Sequence, residues 1–499
     1  MAETEKSDQN HQCSDIQVAE LVELQTTPEE NAKLLRKIDL TLMPVMCACY
    51  MLQLLDKLTL NFSSQLGLTQ DLNLHGSQYS WTSSIFYFGY LVWTWPSSWL
   101  VVRLPLGKYL AGTVLVWGII LMFHGACNNF GGFMAVRFLL GAAEAAVAPG
   151  FALIVSMFYR RDEQPLRQGI WFAGNCIANI IGGLISYGIG HIDSSLATWR
   201  VLFLILGSVT VAFSAVLWTF LPDSPIKSRF LNERERKLSV LRTLHETSSA
   251  MDENDFQTYQ VWEALRDPQA WLLALYTFSV NICNGGITTF NSLLINGFGF
   301  GSLQTLLLQI PMGGCQLAFL AIVSITASVS KTSRLFLMAC GCLVSLIGML
   351  LIYKLNHADA YGRLGGTYLA AVFASNTPVS LSIIASNVGG FTKRSTVNAM
   401  LFVAYSTGNI FGPQLYLSFQ APVYTFPAET KFKTGIRSTI AGFCLGIFFL
   451  GVLFAYYFLE NRRRAKHCNT GSGVGIEEDR LETFMSRTDK GSLRFRYVL

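Results

Sequence analysis

The chain carries twelve apolar stretches of about 20 residues each, the length at which an α-helix crosses the hydrocarbon core of a bilayer. That feature fixes the solvent, because in lipid only helices and closed barrels satisfy their own backbone groups. The stretches fall near 38–59, 79–101, 108–127, 130–153, 168–190 and 199–221, then near 270–292, 303–328, 334–354, 364–388, 396–418 and 437–459. A polar segment from Pro222 to Asp267 separates the two groups of six, and in it Glu233 and Lys237 are spaced to pair along a helix face. The expected organisation is a tail over 1–37, a six-helix bundle over 38–221, a linker over 222–267, a second six-helix bundle over 268–460 and a tail over 461–499. Such a chain is expected to be an all-α membrane protein; two groups of six helices around a polar linker are the layout of the major facilitator fold, in which two bundles rock around a midplane site, and layout alone leaves other twelve-helix folds open.

Charge supports that reading and removes others. Only 14% of the residues are charged, against about 25% in soluble domains. The net charge of +5 does not indicate nucleic acid, since Lys and Arg collect in short clusters between the apolar stretches. Those clusters (Lys33, Arg36 and Lys37; Arg103 and Lys108; Arg160, Arg161 and Arg167; Lys331 and Arg334; Lys393 and Arg394; Arg462 to Arg464) alternate with loops poor in cations, which places both termini in the cytoplasm. Lys431 and Lys433 are a mild exception. The polar, acidic N-terminus does not read as a signal peptide. The cysteines mostly lie inside apolar stretches and match no zinc spacing, no catalytic His or Asp cluster is evident, and no phosphate-binding G-x-x-x-x-G-K-[ST] loop is present. The expectation is a transporter without cofactor or metal, not an enzyme and not an ATP-driven pump, monomeric and surrounded by membrane lipid.

An ionisable side chain near the bilayer centre costs about 2.5–3.5 kcal/mol on insertion scales, so each one is a functional candidate. Asp56 and Lys57 are adjacent in LQLLDKLTLNFSS, either as a functional pair or as an anchor at the interface. In MAVRFLLGAAEAAVAPGF, Arg137 and Glu144 lie seven residues apart, so both project from one helix face about 10 Å apart along the axis. Arg137 offers a planar fork suited to a carboxylate, and Glu144 can take up and release a proton. The alternatives are a pair that only locks helices together, or an Arg137 that snorkels to the surface. Among weaker polar signals, Asn284 and Asn409 are candidate substrate contacts, while Asn284–Gly286, Pro311 and Gly313–Gly314 mark expected helix breaks. His124 reads as a packing residue, and Asn61 opens a glycosylation sequon close to the membrane.

The segments LLDKLTLNF, RFLLGAAEAAVAPGF, LPDSPIKSRFLNERERKL, EALRDPQAWL, NGGITTFNSLLINGFGF, LLQIPMGG and GNIFGPQLY, in that order, resemble the fungal allantoate permease family, anion:cation symporters of the major facilitator superfamily. The likeness covers about residues 35 to 460. It implies uptake, with protons, of a small organic anion: a ureido acid such as allantoate, or an acidic vitamin such as nicotinate, pantothenate or biotin. It also implies substrate contacts at Arg137 and Lys57 and proton coupling at Glu144 and Asp56, in a plasma-membrane protein. Position 57 is Lys where many relatives have Arg, and WLVVRLPLGKYL lacks the usual acidic residue before Arg103. Export by a member of the same family, or a nutrient receptor that keeps the fold without transporting, are the competing readings.

Overall fold

The computed structural model describes residues 27–160, 163–251, 257–330, 333–356, 358–416, 432–470, 488–490 and 495–498. The expectations for Arg161, Lys331, Lys431 and most of both tails lie outside the described residues. Helix α1 (Pro28–Ser63) starts ten residues before its apolar stretch, with Thr27 as N-cap accepting from Glu30 N at 3.3 Å, Pro28 in the first turn and Glu29 and Glu30 against the positive end of the dipole. Its charged extension carries Lys37, which pairs with Glu235 at 2.6 Å.

The rest of the first bundle is α2 (Gln78–Arg103), α3 (Leu106–Phe123), α4 (Phe130–Glu144), α5 (Val147–Phe158), α6 (Gln164–Ile189) and α7 (Thr198–Phe220). Two helices bridge the linker, α8 (Glu233–Met251) and α9 (Thr258–Arg266). The second bundle comprises α10 (Pro268–Asn296), α11 (Ser302–Leu307), α12 (Ile310–Val329), α13 (Arg334–Lys354), α14 (Ala360–Ala370), α15 (Thr377–Asn387), α16 (Phe391–Gln414) and α17 (Lys433–Thr470). The bundles meet along α2 and α16, α6 and α12, and α1 and α10.

Among the described residues, ten spans are long and apolar enough, by length and composition, to cross a membrane. The remaining two of the twelve expected, α2 and α16, have the length but are diluted by Ser, Thr, Tyr and Asn. They face each other across the bundle boundary, so most of their polar residues point at protein and not at lipid.

Within the fourth span α4 ends at Glu144 and α5 begins at Val147, with a tight turn in which Ala145 N donates to Ala142 O. The Glu144 carbonyl at this break accepts from Gln53 Nε2 on α1 at 3.3 Å. The expected break near Pro311 is present, between α11 and α12 at Leu308 and Gln309, whereas α12 runs unbroken through Gly313 and Gly314, where one was also expected. The one expected at Asn284–Gly286 is not: α10 runs unbroken through it, and the glycines serve close approach, Gly285 against the Asn409 backbone and Gly286 against the Tyr416 ring. A reciprocal contact of the same kind joins α2 and α4, where a Cβ on Gly89 would strike the Phe138 carbonyl and one on Gly141 the Phe86 carbonyl. The expected Glu233–Lys237 pair is also absent among the described contacts; Glu235 takes Lys37 instead, and Arg242 reaches Glu163 at 2.6 Å.

The start of α1 and the described C-terminal residues 488–490 both contact the linker, on the side called terminal; the opposite side is called distal. On the terminal side Lys393, read from sequence as a loop cation, is fully buried in the first turn of α16 and contacts Glu263 at 2.9 Å, Asp267 at 2.7 Å and Asp489 at 2.6 Å. Asp489 belongs to the end of the C-terminal tail, which returns to dock. Tyr497 Oη donates to its carboxylate at 2.7 Å and stacks on Tyr457, while Arg464 holds the backbone carbonyls of Asp489 and Phe495 at 2.9 and 3.0 Å. Burial works to raise the pKa of Asp267, but Lys393 and Lys490 outweigh it and hold the carboxyl below its usual range. A lowered folded-state value contributes stability above the ordinary carboxylate range, lost only as pH falls through the lowered value, so Asp267 stays ionised at neutral pH. Lys393→Met would leave buried carboxylates without their cation and should lower stability by about 3–5 kcal/mol. Thermal unfolding in detergent checks this, with Glu263→Gln, which removes only the more exposed carboxylate, expected to cost much less.

Candidate transport site

The ionic residues singled out in the membrane converge from α1 and α4. Lys57 Nζ lies 3.4 Å from Glu144 Oε2, with the carboxylate fully buried, and sits 5.5 Å from the centroids of both the Phe86 and Tyr90 rings. Lys57 therefore spreads its charge between a counterion and two aromatic faces. Neither Glu144 oxygen accepts a well-formed hydrogen bond from a described residue, so the pair is a contact of charges with acceptor capacity left over.

Arg137, 2% exposed, lies between Phe133 and Phe203, whose ring centroids are 5.5 and 5.6 Å from its guanidinium carbon. Its Nε and Nη2 have no partner among the described residues. Behind it His124 stacks on Phe203 at 4.8 Å and meets Phe133 edge to face, which bears out its reading as a packing residue. Burial also removes the snorkelling alternative for Arg137. Asp56 is not at an interface either: it is fully buried, turned into its own bundle, and accepts from Trp117 Nε1 at 2.5 Å.

Lys57 and Arg137 line a small cavity between the bundles together with Leu60, Ser83, Phe86 and Tyr87 from the first and Thr288 and Thr289 from the second. Its accessible space is about 20 Å³, little more than one water-sized sphere. On its terminal side Tyr90 stacks on Phe402 at 5.2 Å and Tyr87 meets Tyr405 edge to face at 6.0 Å, forming an aromatic floor across the boundary.

On the distal side the bundles are joined by neutral hydrogen bonds. Tyr79 Oη donates to Thr289 O at 3.0 Å, the Ser83 and Thr289 hydroxyls bond at 2.7 Å, and Asn61 both donates to Gln309 Oε1 at 3.1 Å and accepts from Ser292 N at 2.9 Å. Ser84 donates to Ile410 O at 2.8 Å and accepts from Gln414 at 2.9 Å. Between described residues, no ion pair joins one bundle to the other.

Asn284 and Asn409 come together, but with each other: Asn284 Nδ2 donates to Asn409 Oδ1 at 2.8 Å, and Asn409 Nδ2 to Asn281 Oδ1 at 3.0 Å, a ladder between α10 and α16 that does not line the cavity. Sequence reasoning missed Ser83, Tyr87, Thr288 and Thr289. The signal available for the first two was α2 itself, a span of full length with too many hydroxyls to face lipid.

The architecture agrees with comparison to known proteins. Residues 46–413 match the family model described as Major Facilitator Superfamily. The chain belongs to that superfamily. Among curated facilitators it is 36% identical to an uncharacterized transporter of Schizosaccharomyces pombe over 94% of this chain and 88% of that one. It is 34% identical to the allantoate permease of Saccharomyces cerevisiae over 96% of this chain and 89% of the permease, so it sits within the fungal allantoate permease-like group. Among solved facilitator structures, the proton:xylose symporter XylE superposes with a TM-score of 0.66 at 14% identity, covering 85% of this chain and 96% of that one, a likeness of fold. This facilitator is thus a multi-pass membrane transporter. Because Asn61 is buried and supplies two of the bonds between bundles, its sequon should carry no glycan, and Asn61→Ala should loosen the distal side by about 0.5–1.5 kcal/mol per bond. Faster labelling of Thr288→Cys by a membrane-impermeant maleimide in the Asn61→Ala background would report that opening; an unchanged rate would show that these bonds do not hold the distal side shut.

Proposed function

We propose that this facilitator imports a small organic anion together with protons across the plasma membrane, with the terminal side in the cytoplasm. The observation that carries the proposal is Arg137: a buried guanidinium lining the space between the bundles, with donor nitrogens that no described residue satisfies. A carboxylate is the natural complement to such a fork. The name of the allantoate permease relative narrows the class to ureido acids such as allantoate, with acidic vitamins such as nicotinate or pantothenate as the adjoining class.

In this mechanism Glu144 and the substrate compete for the same cation. While Glu144 is ionised it is the counterion of Lys57 at 3.4 Å. When Glu144 takes up a proton, Lys57 and Arg137 both face the cavity unneutralised, and an incoming carboxylate replaces the lost charge. Linkage is reciprocal, so bound anion raises the proton affinity of Glu144 by the same factor that the proton raises anion affinity. Asp56, the residue before Lys57 and bonded to Trp117, is a second buried carboxyl, and it opposes a bound anion whenever it is ionised. Asn284 and Asn409 act as substrate contacts from the second bundle once the cavity opens towards their ladder.

Uptake should therefore rise as external pH falls. Arg137→Ala should weaken substrate affinity on the order of 10- to 100-fold, the worth of a charge-assisted hydrogen bond, and Arg137→Lys should recover only part of it. Unchanged affinity in correctly inserted Arg137→Ala would end the binding assignment. Glu144→Gln should still bind substrate and exchange it across the membrane while losing accumulation driven by a pH gradient. Counterflow and gradient-driven uptake measured on one preparation separate these, and full accumulation in Glu144→Gln would remove it as the proton carrier.

A further inference from the structure

Helix α9 is built the wrong way round for a helix in water. Gln260 and Ala264 are turned to the protein and buried, whereas Tyr259 and Trp262 are 57% and 59% exposed. Directly after it, Asp267 caps α10, whose first turn exposes Trp271 with its indole Nε1 bonded to Leu265 O at 2.8 Å. Exposed Trp and Tyr where a membrane-crossing helix begins mark headgroup depth, where an amphipathic ring has both apolar and wet surroundings. The outward face of α9 accordingly lies in the lipid interface of the terminal side.

At that depth α9 and the returning tail enclose an open cleft of about 570 Å³ lined by Tyr259, Trp262, Glu263, Arg266 and Lys490. Three charged residues line it, and the one that pairs with no described residue is a cation, Arg266. Glu263 is engaged by Lys393 at 2.9 Å and by the Thr488 hydroxyl at 2.9 Å. Lys490 shares Asp267 with Lys393, approaching it at 3.1 Å and keeping a partly exposed ammonium. Arg266 is exposed and makes no ion pair or hydrogen bond with a described residue. Two cations and two aromatic rings therefore face the interface around one recess, and the carboxylate among them is already paired.

We infer that this cleft binds the headgroup of an anionic phospholipid, its phosphate between Arg266 and Lys490 and its acyl chains running past Trp262. Because Lys490 belongs to the docked tail and Arg266 to the linker, a bound lipid ties the two together at the foot of α10. The tail's own clamp through Lys393 is complete without it, so lipid adds a fastening that depends on membrane composition.

The test uses the full chain in nanodiscs of phosphatidylcholine with or without phosphatidylinositol, with brominated acyl chains as quenchers. Brominated phosphatidylinositol should quench the emission lost in Trp262→Phe more strongly than brominated phosphatidylcholine at equal content. Arg266→Gln touches no described contact, and it should weaken retention of phosphatidylinositol about fivefold, the share of one cation at a charged membrane surface. Thermal unfolding should shift upward with phosphatidylinositol in the natural protein and less in Arg266→Gln. Equal quenching by the two lipids, undiminished retention in Arg266→Gln, or a thermal shift reproduced by millimolar inorganic phosphate alone would each overturn the inference, the last by showing a plain anion site.

Discussion

Everything in the candidate transport site follows from placing two cations and a carboxylate where lipid surrounds the protein. Only one of the cations, Lys57, has a counterion, at 3.4 Å; Arg137 is left with aromatic faces and unsatisfied donors. A charge in the bilayer costs several kcal/mol unless protein shields it, and here the shield is the first bundle, with Phe86, Tyr90, Phe133 and Phe203 as its inner surface. The second bundle brings hydroxyls and amides to the same boundary but no described ion pair to the site. Charge resides in one half and neutral polarity in the other.

The two sides of the molecule are held by different chemistry. Distal contacts between bundles are single neutral hydrogen bonds, each worth about 0.5–1.5 kcal/mol, a size that conformational equilibria can cross. Terminal-side ion pairs, by contrast, stay within one bundle and its attachments: Arg167 with Asp39 and Arg242 with Glu163 in the first, and Lys393 with its carboxylates in the second. Each bundle is braced internally, and the boundary between them is left breakable.

Much of this was legible in the sequence. The apolar stretches mark the spans because length and hydropathy are properties of the chain itself, and Arg137 and Glu144 stand out because helical spacing puts them on one face. Three residues show where such reading stops. Lys393 looked like a loop cation because nothing local reveals that Asp489, 96 residues later, returns to meet it. Asn61 looked like a membrane-edge sequon, since its partners Gln309 and Ser292 lie in the other bundle. Gly285 and Gly286 looked like a hinge because a glycine needed for close packing and one needed for bending are identical until the neighbouring helix is in place. The hydroxyls lining the cavity were hidden for a related reason: Ser and Thr are ordinary in membrane helices, and only the facing of α2 against α10 and α16 gives them meaning.

The back-to-back glycines of α2 and α4 bear on how the halves of the site are carried. At Gly89 and Gly141 backbone lies on backbone, with no side chain between to act as a bearing. One of these helices holds the aromatic seat of Lys57, and the other holds Arg137 and Glu144. Without a compliant layer the two cannot slide past each other, so they form a single plate, and any rocking of the first bundle transports seat and charges in fixed register. The tolerance of the whole instrument is thereby set by two positions whose contribution is the absence of a methyl group.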